Sequence, residues 1–194
     1  MNLEYVYGQT PLDDDEMEGL LIPSIATRAE LDEFEQQNIE EAMQWLLGKT
    51  LKASEILTEK FVCGLHRRMY GNVWSWAGKF RKTDKNLGID KWQIPSALKS
   101  LCDDTIHWLM NDTYTSDEVA IRFKHRIVSI HCFSNGNGRH SRLMADVIIE
   151  KVCNKVVFSW GSSLAPNEVR TEYLRAVKAA DHGNIEQLIS FARL

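Results

Sequence analysis

The chain has little punctuation: four prolines and eleven glycines in 194 residues, with no apolar run approaching the roughly 20 residues that would span a bilayer. No repeat or low-complexity tract breaks it either, so long segments are free to be regular. Its four cysteines, Cys63, Cys102, Cys132 and Cys153, stand far apart in apolar surroundings without a Cys-x-x-Cys pair. Neither a zinc cluster nor a disulfide framework follows, and reduced, buried thiols in a cytoplasm are expected. Positive charge is not in excess: the formal net charge is −4, with acidic residues gathered at 13–18 and between Glu30 and Glu41. That balance argues against a protein that coats nucleic acid, so any anionic ligand must be held by a local cluster of cations. The opening MNLEYVYGQTPLDDDE lacks a basic region followed by an apolar stretch, and the chain is read as soluble, unexported and without membrane contact. With 44% hydrophobic and 26% charged residues, it can bury the core of one domain with a terminal arm.

The hydrophobic period is mostly helical. Residues 27–47 place Leu31, Phe34, Ile39, Ala42, Met43 and Leu46 at three- and four-residue steps, with Thr27 or Ser24 as N-cap and Gly48 as the stop. A second helix is expected over SEILTEKFVCGLHRRMYG, capped by Ser54, with Ile56, Leu57, Phe61, Leu65 and Met69 on one face. SALKSLCDDTIHWLM and SDEVAIRFKHRIVSI repeat the pattern, the latter capped by Ser116, and RLMADVIIEKV, NEVRTEYLRAVKAA and IEQLISFARL complete a mainly α fold. Residues 1–26 read as an acidic arm bracketed by Pro11 and Pro23, and residues 27–194 as the domain. One interruption stands out. Residues 79–95, KFRKTDKNLGIDKWQIP, lose the helical period around Asn86, Gly88 and Asp90. They fit either a short hairpin, with Leu87, Ile89 and Ile94 as its apolar positions and Pro95 closing the second arm, or an irregular loop between helices.

The most unusual stretch is HCFSNGNGRHSR at 131–142, between two strong helical patterns. His131 falls at the end of one helix and Arg139 in the first turn of the next. Gly136, Asn137 and Gly138 can turn successive N–H groups inward as an anion-binding nest at a helix N-terminus. Arg139 and Arg142, three apart, share one side of that helix, and guanidinium forks match phosphate oxygens. Phe133 would anchor the turn on the core. A histidine fixed beside a polyphosphate can accept the proton of an attacking hydroxyl. Plainer readings exist: His131 as a helix cap, Gly-Asn-Gly as a mere turn, and the arginines as partners of carboxylates on a neighbouring helix. His66, His107, His125, His140 and His182 carry no signal beyond ordinary polar satisfaction.

These twelve residues resemble the signature of Fic proteins, His-x-Phe-x-(Asp/Glu)-Gly-Asn-Gly-Arg-x-x-Arg, at His131, Phe133, Gly136, Asn137, Gly138, Arg139 and Arg142. The likeness extends upstream to VWSWAGKFR at 73–81 and downstream to YLRAVKAADHGNIEQLISF at 173–191. Within the family the chain is most similar to the mobile mystery protein B group, through ATRAELDEFEQQNI and HCFSNGNGRHSRLMAD, a group associated with a small helix-turn-helix companion protein. The resemblance implies a helical bundle with a β-hairpin flap at 79–95. It implies transfer of a nucleoside monophosphate, usually AMP from ATP, to a Ser, Thr or Tyr hydroxyl of a target protein. His131 would be the base, Gly136, Asn137, Gly138, Arg139 and Arg142 would hold the phosphates, and Mg²⁺ would bridge them. The flap, through Leu87 and Ile89, would align the target strand.

Two departures qualify the expectation. Asn135 stands where the family has the acidic metal ligand, and a neutral amide offers a hard cation one carbonyl oxygen and no charge; Mg²⁺ affinity is expected to be weak. The self-inhibitory mark Ser/Thr-x-x-x-Glu-Gly/Asn, whose Glu pairs with the second motif arginine, finds no match: Glu18-Gly19 comes nearest, but Asp14 stands four residues before the Glu. The competing reading is a catalytically weak or silent nucleotide-binding or interaction module of a toxin–antitoxin-like pair. A DNA-binding regulator fits less well, since the charge is negative and no basic recognition helix is present.

Overall fold

The computed structural model describes residues 13–194; residues 1–12 of the acidic arm expected at 1–26 lie outside the described residues. The fold is mainly helical: α1 Asp14–Met17, α2 Arg28–Leu47, α3 Ala53–Ile56, α4 Glu59–Tyr70, α5 Ile94–Met110, α6 Ser116–Ile130, α7 Asn137–Val147, α8 Pro166–Asp181 and α9 Glu186–Arg193. A π-helical turn, Ile148–Val152, prolongs α7. Packing follows the chain, with α2 against α4, α5 against α6, α6 against α7 and α8 against α9. The fully buried side chains Leu65, Met69, Leu98, Leu101, Phe123, Phe133 and Met144 bring α4, α5, α6, the motif turn and α7 into one core. Among the described residues no helix is long and apolar enough to cross a membrane.

Local chemistry sets the boundaries. Of the two N-cap residues offered by the sequence, Thr27 caps α2, in a reciprocal box with Glu30, and Gly48 ends it. The second expected helix is two: Thr58 accepts from Phe61 N–H and starts α4 afresh after the short α3. Thr115, not Ser116, caps α6. The buried stripe of α2 also differs from the apolar pattern. Phe34 and Met43 are exposed, whereas Glu35 and Asn38 are buried in line with Leu31, Ile39, Ala42 and Leu46. Asn38 explains its own burial by donating to Arg68 O at 2.8 Å and accepting from Asn72 N–H at 2.9 Å, which ties α2 to the end of α4.

The hairpin of the flap expected at 79–95 does not form. Among the described residues the only β pairing is an isolated antiparallel bridge between Leu20 and Trp74. The cause lies in Arg81, whose guanidinium donates to Thr83 O at 2.9 Å and to Ile89 O, carbonyls on the two sides of the loop. The backbone N–H groups of Arg81 and Ile89 donate instead to Cys132 O at 3.0 Å and Ile130 O at 3.4 Å. The loop is thus paired to the residues around His131 and not to itself. Pro95 closes no strand; it sits in the first turn of α5, after a 3₁₀ turn at Lys91–Gln93 capped by Asp90.

Candidate active site

The turn between α6 and α7 assembles most of the residues singled out by the sequence. Helix α6 ends on His131, which takes the left-handed conformation, φ 57° and ψ 61°, a strained state for a residue with a Cβ. The strain is held by neighbours. Arg81 Nε donates to His131 O at 2.7 Å, and Phe133 is fully buried, its ring stacked on His66 with centroids 3.7 Å apart. Asn137 clamps the same turn: its Oδ1 accepts from Phe133 N–H at 3.0 Å and its Nδ2 donates to Phe133 O at 2.8 Å. The Asn137 side chain is therefore occupied in building the loop, and only its backbone is left to face an anion.

His131 is 6% exposed. Burial first, then the positive charges of Arg81 and Lys85, push its pKa down to about 4 against a hydrogen bond with the Val128 backbone that raises it. At neutral pH the ring is uncharged. One nitrogen donates to Val128 O, so in the neutral ring the other is the acceptor nitrogen.

Helix α7 opens at Gly136, φ 76°, with no side-chain cap. A Cβ at Gly136 would come within 2.5 Å of the buried Tyr70 ring, so both conformation and space require glycine. An uncapped helix start leaves N–H groups and the positive end of the helix dipole for an anion. Arg142 lies over the Tyr173 ring at 5.5 Å, and its charge acts on Asp146, one turn further along α7. Beneath that ring is Lys124, fully buried, donating to Tyr173 Oη at 2.7 Å; burial and the neighbouring Arg142 lower its pKa to about 7.

Arg139 behaves differently. Its Nη2 donates to Glu35 Oε2 at 2.6 Å, and Glu35 also accepts from Trp74 Nε1 at 2.7 Å. The plainer reading of one arginine, as partner of a carboxylate on a neighbouring helix, thus holds for Arg139. Glu35 was missed by sequence reasoning, which looked for a Glu followed by Gly or Asn and opposite the second arginine. A carboxylate in register with Leu31 and Ile39 on an apolar stripe was the available signal.

Asn135 does not offer a metal cradle. Its Oδ1 accepts from Gly136 N–H at 2.6 Å, and its backbone carbonyl meets His66 Nε2 at 3.0 Å. His66 Nδ1 accepts from Gly78 N–H at 3.0 Å, which fixes Nε2 as the donor and makes this histidine the link between α4, the lead-in to the loop and the motif turn. No group of three or more His, Cys, Asp or Glu that could hold a metal occurs among the described residues. These residues do not fit a resident Mg²⁺. Leu87, expected to dock a target, is 51% exposed, while Ile89 is half-buried and packs on the core. Gly88 lies between them with φ 98°, and a Cβ there would come within 2.6 Å of His131 Cβ, so the loop borders the histidine directly.

Residues 56–149 match the model of the Fic/DOC family. The protein adenylyltransferase Fic of Drosophila grimshawi is 29% identical over 154 residues, 77% of this chain and 30% of that protein. The protein of the same name from Nematostella vectensis is 24% identical over 165 residues, 83% of this chain and 37% of that protein. This chain spans about a third of the length of these curated relatives. Among solved structures, Fic-1 from C. elegans aligns with a TM-score of 0.69 at 23% identity, covering 91% of this chain and 51% of that one. The BepC protein from Bartonella tribocorum, solved with bound AMPPNP, aligns with a TM-score of 0.68 at 16% identity, covering 93% of this chain and 97% of that one.

Proposed function

We propose, from the premise that this chain belongs to the Fic/DOC family through residues 56–149, that it transfers AMP from ATP to a Ser, Thr or Tyr hydroxyl of a target protein. The observation that carries this reading is a neutral, buried histidine at the head of an uncapped, glycine-started helix that bears two arginines. The free N–H groups of Asn137, Gly138 and Arg139 and the Arg142 fork bind the phosphates and draw charge from the α-phosphorus. The target oxygen attacks that phosphorus, its proton passes to His131, and the bond to pyrophosphate breaks, so that AMP ends on the target and pyrophosphate leaves. Little covalent chemistry falls to the protein; position and electrostatics carry the rate. Mg²⁺ enters as part of the Mg²⁺–ATP substrate.

The unit at work is the domain from residue 27 onward, with the acidic arm before it. Its setting is the cytoplasm, as one half of a toxin–antitoxin-like pair with a small helix-turn-helix companion. The second reading, a silent nucleotide-binding module, draws on Asn135 and on the Glu35–Arg139 pair, both of which weaken a phosphate site. Incubation with α-labelled ATP and a cell lysate separates the two. Label on protein supports the enzyme, and ATP binding without label supports the module.

Asn135→Asp tests the metal position. A carboxylate of nearly equal size should tighten Mg²⁺–ATP by about tenfold, near 1.4 kcal/mol, and raise transfer. The gain should vanish when His131→Ala is added, because a better metal site supplies no base. Unchanged metal dependence in the single variant would place the metal elsewhere.

Leu87→Asp tests the loop. Losing the burial of this half-exposed leucine against a target should lower kcat/KM for a protein target by about tenfold. ATP affinity should stay as it was, because Leu87 lies on the loop and not on the motif turn. Equal loss of both would show damage to the fold instead.

A further inference from the structure

Arg81 is buried at 3% exposure, and each of its guanidinium nitrogens has a hydrogen-bond acceptor. Nε donates to His131 O, Nη1 to Thr83 O and, at 3.3 Å, to Asp84 Oδ1, and Nη2 to Ile89 O. One fork therefore spans both sides of the 81–90 loop and the carbonyl of the candidate base. Lysine could reach one of these carbonyls but not all three in one plane. The backbone adds two more ties, Arg81 N–H to Cys132 O and Ile89 N–H to Ile130 O, which bracket His131 on either side. Asp84 itself is held by Lys91 N–H at 2.9 Å, so the charge partner of the fork is fixed to the far end of the loop.

We infer that Arg81 is a positioning residue that locks the left-handed backbone of His131 and couples it to the loop that receives the target, so that base and docking edge move as one body. The inference rests on the AMP-transfer reading for its kinetic consequence but not for its structural one. A backbone at φ 57° in a histidine is not self-supporting. If the carbonyl of His131 loses its donor, the peptide can relax and carry the imidazole away from the attacking hydroxyl. Nucleotide binding should not sense this, since the residues proposed to hold the phosphates lie on α7 and none is among the hydrogen-bond partners of Arg81.

The test uses the full chain with Arg81→Lys and Arg81→Gln. In Arg81→Lys, AMP transfer should fall by about a hundredfold, the order expected when a reacting group is misplaced by about an ångström. ATP affinity should stay within about twofold. Hydrogen exchange at the Ile89 amide should accelerate at least about tenfold while α4 amides keep their protection. The imidazole of His131, followed by NMR, should titrate at higher pH in Arg81→Gln, where one of its two facing cations is lost and Lys85 remains, and should shift less in Arg81→Lys. Wild-type transfer together with wild-type exchange in Arg81→Lys overturns the inference, as does a parallel loss of ATP binding. If neither the wild type nor Glu35→Gln, which frees Arg139, transfers label, the AMP-transfer reading fails on its own. Arg81 is then judged by exchange and by the His131 titration: changed, they uphold the positioning role; unchanged, they overturn it. Should neither Arg81 variant fold, Gly88→Ala takes their place, since it keeps Arg81 and drives a methyl toward His131 Cβ. Reduced transfer with intact ATP binding there supports the coupling, and unchanged transfer contradicts it.

Discussion

Replacing His131 with alanine should lower AMP transfer by about two to four orders of magnitude, the usual contribution of a positioned base, and should leave ATP affinity within about threefold, under 1 kcal/mol. The split follows from geometry, because the groups proposed to hold the phosphates lie on α7 and the imidazole at the end of α6. The pH dependence should carry the same signature. A base must be neutral to act, and burial with Arg81 and Lys85 holds His131 near a pKa of about 4. Transfer should therefore be nearly flat between about pH 8 and about pH 6, where an unperturbed imidazole would already be about three-quarters protonated. Stability follows the same sign. His66, His131 and His140 are all held below their unfolded pKa of 6.5, so the unfolded chain binds more protons between that value and about 4. Their contribution is complete above 6.5 and is lost as pH falls toward 4. Denaturation midpoints compared across that window check it, and a midpoint that holds steady down to about pH 5 would contradict it.

Glu35→Gln should act in the opposite direction on the nucleotide. Arg139 now spends its charge on Glu35, and a charge-assisted bond of this kind is worth about 1.5–3 kcal/mol. Releasing it should tighten ATP by about ten- to a hundredfold and raise transfer by a similar factor. Glutamine keeps a carbonyl oxygen for Trp74 Nε1–H, so the packing of α2 on α4 survives, whereas Glu35→Ala would also orphan the buried indole donor. Calorimetric titration with ATP, beside a transfer assay, reads both effects. Weaker ATP binding in Glu35→Gln would mean that Glu35 orients Arg139 for the phosphate and does not compete with it. Arg142, which lies over the Tyr173 ring and not against Glu35, should be unaffected in either case.

Much of this was legible in the sequence because it is local. The cap at Thr27, one of two residues offered, the stop at Gly48, the end of α6 at His131 and the start of α7 all depend on residues within one turn of one another. What escaped depends on distant partners. Glu35 meets Arg139 across 104 positions, and its helix lacks the motif that would have flagged it. The segment at 79–95 fits a hairpin as well as an irregular loop because Asn86 and Gly88 are turn formers, and the resemblance tips it toward the hairpin. Its backbone pairs instead with residues 130 and 132, and a side chain, Arg81, fills the acceptors a ladder would have used. The break between α3 and α4 turned on which of two hydroxyls capped, Ser54 or Thr58, and the apolar pattern runs through both. His66 looked ordinary for the same reason: a histidine on a helix shows nothing of the Gly78 and Asn135 backbone groups it joins.

AMP transfer requires that the α-phosphate of ATP end on a protein. Wild-type chain incubated with lysate and ATP labelled on the α-phosphate, beside a parallel reaction labelled on the γ-phosphate, tests it directly. Protein-bound label is expected from the α-labelled nucleotide alone, sensitive to removal of the His131 imidazole and increased in Glu35→Gln. Retention of the γ-label would mean phosphate transfer instead, and tight ATP binding with no label from either position in the wild type and in Glu35→Gln would contradict AMP transfer outright.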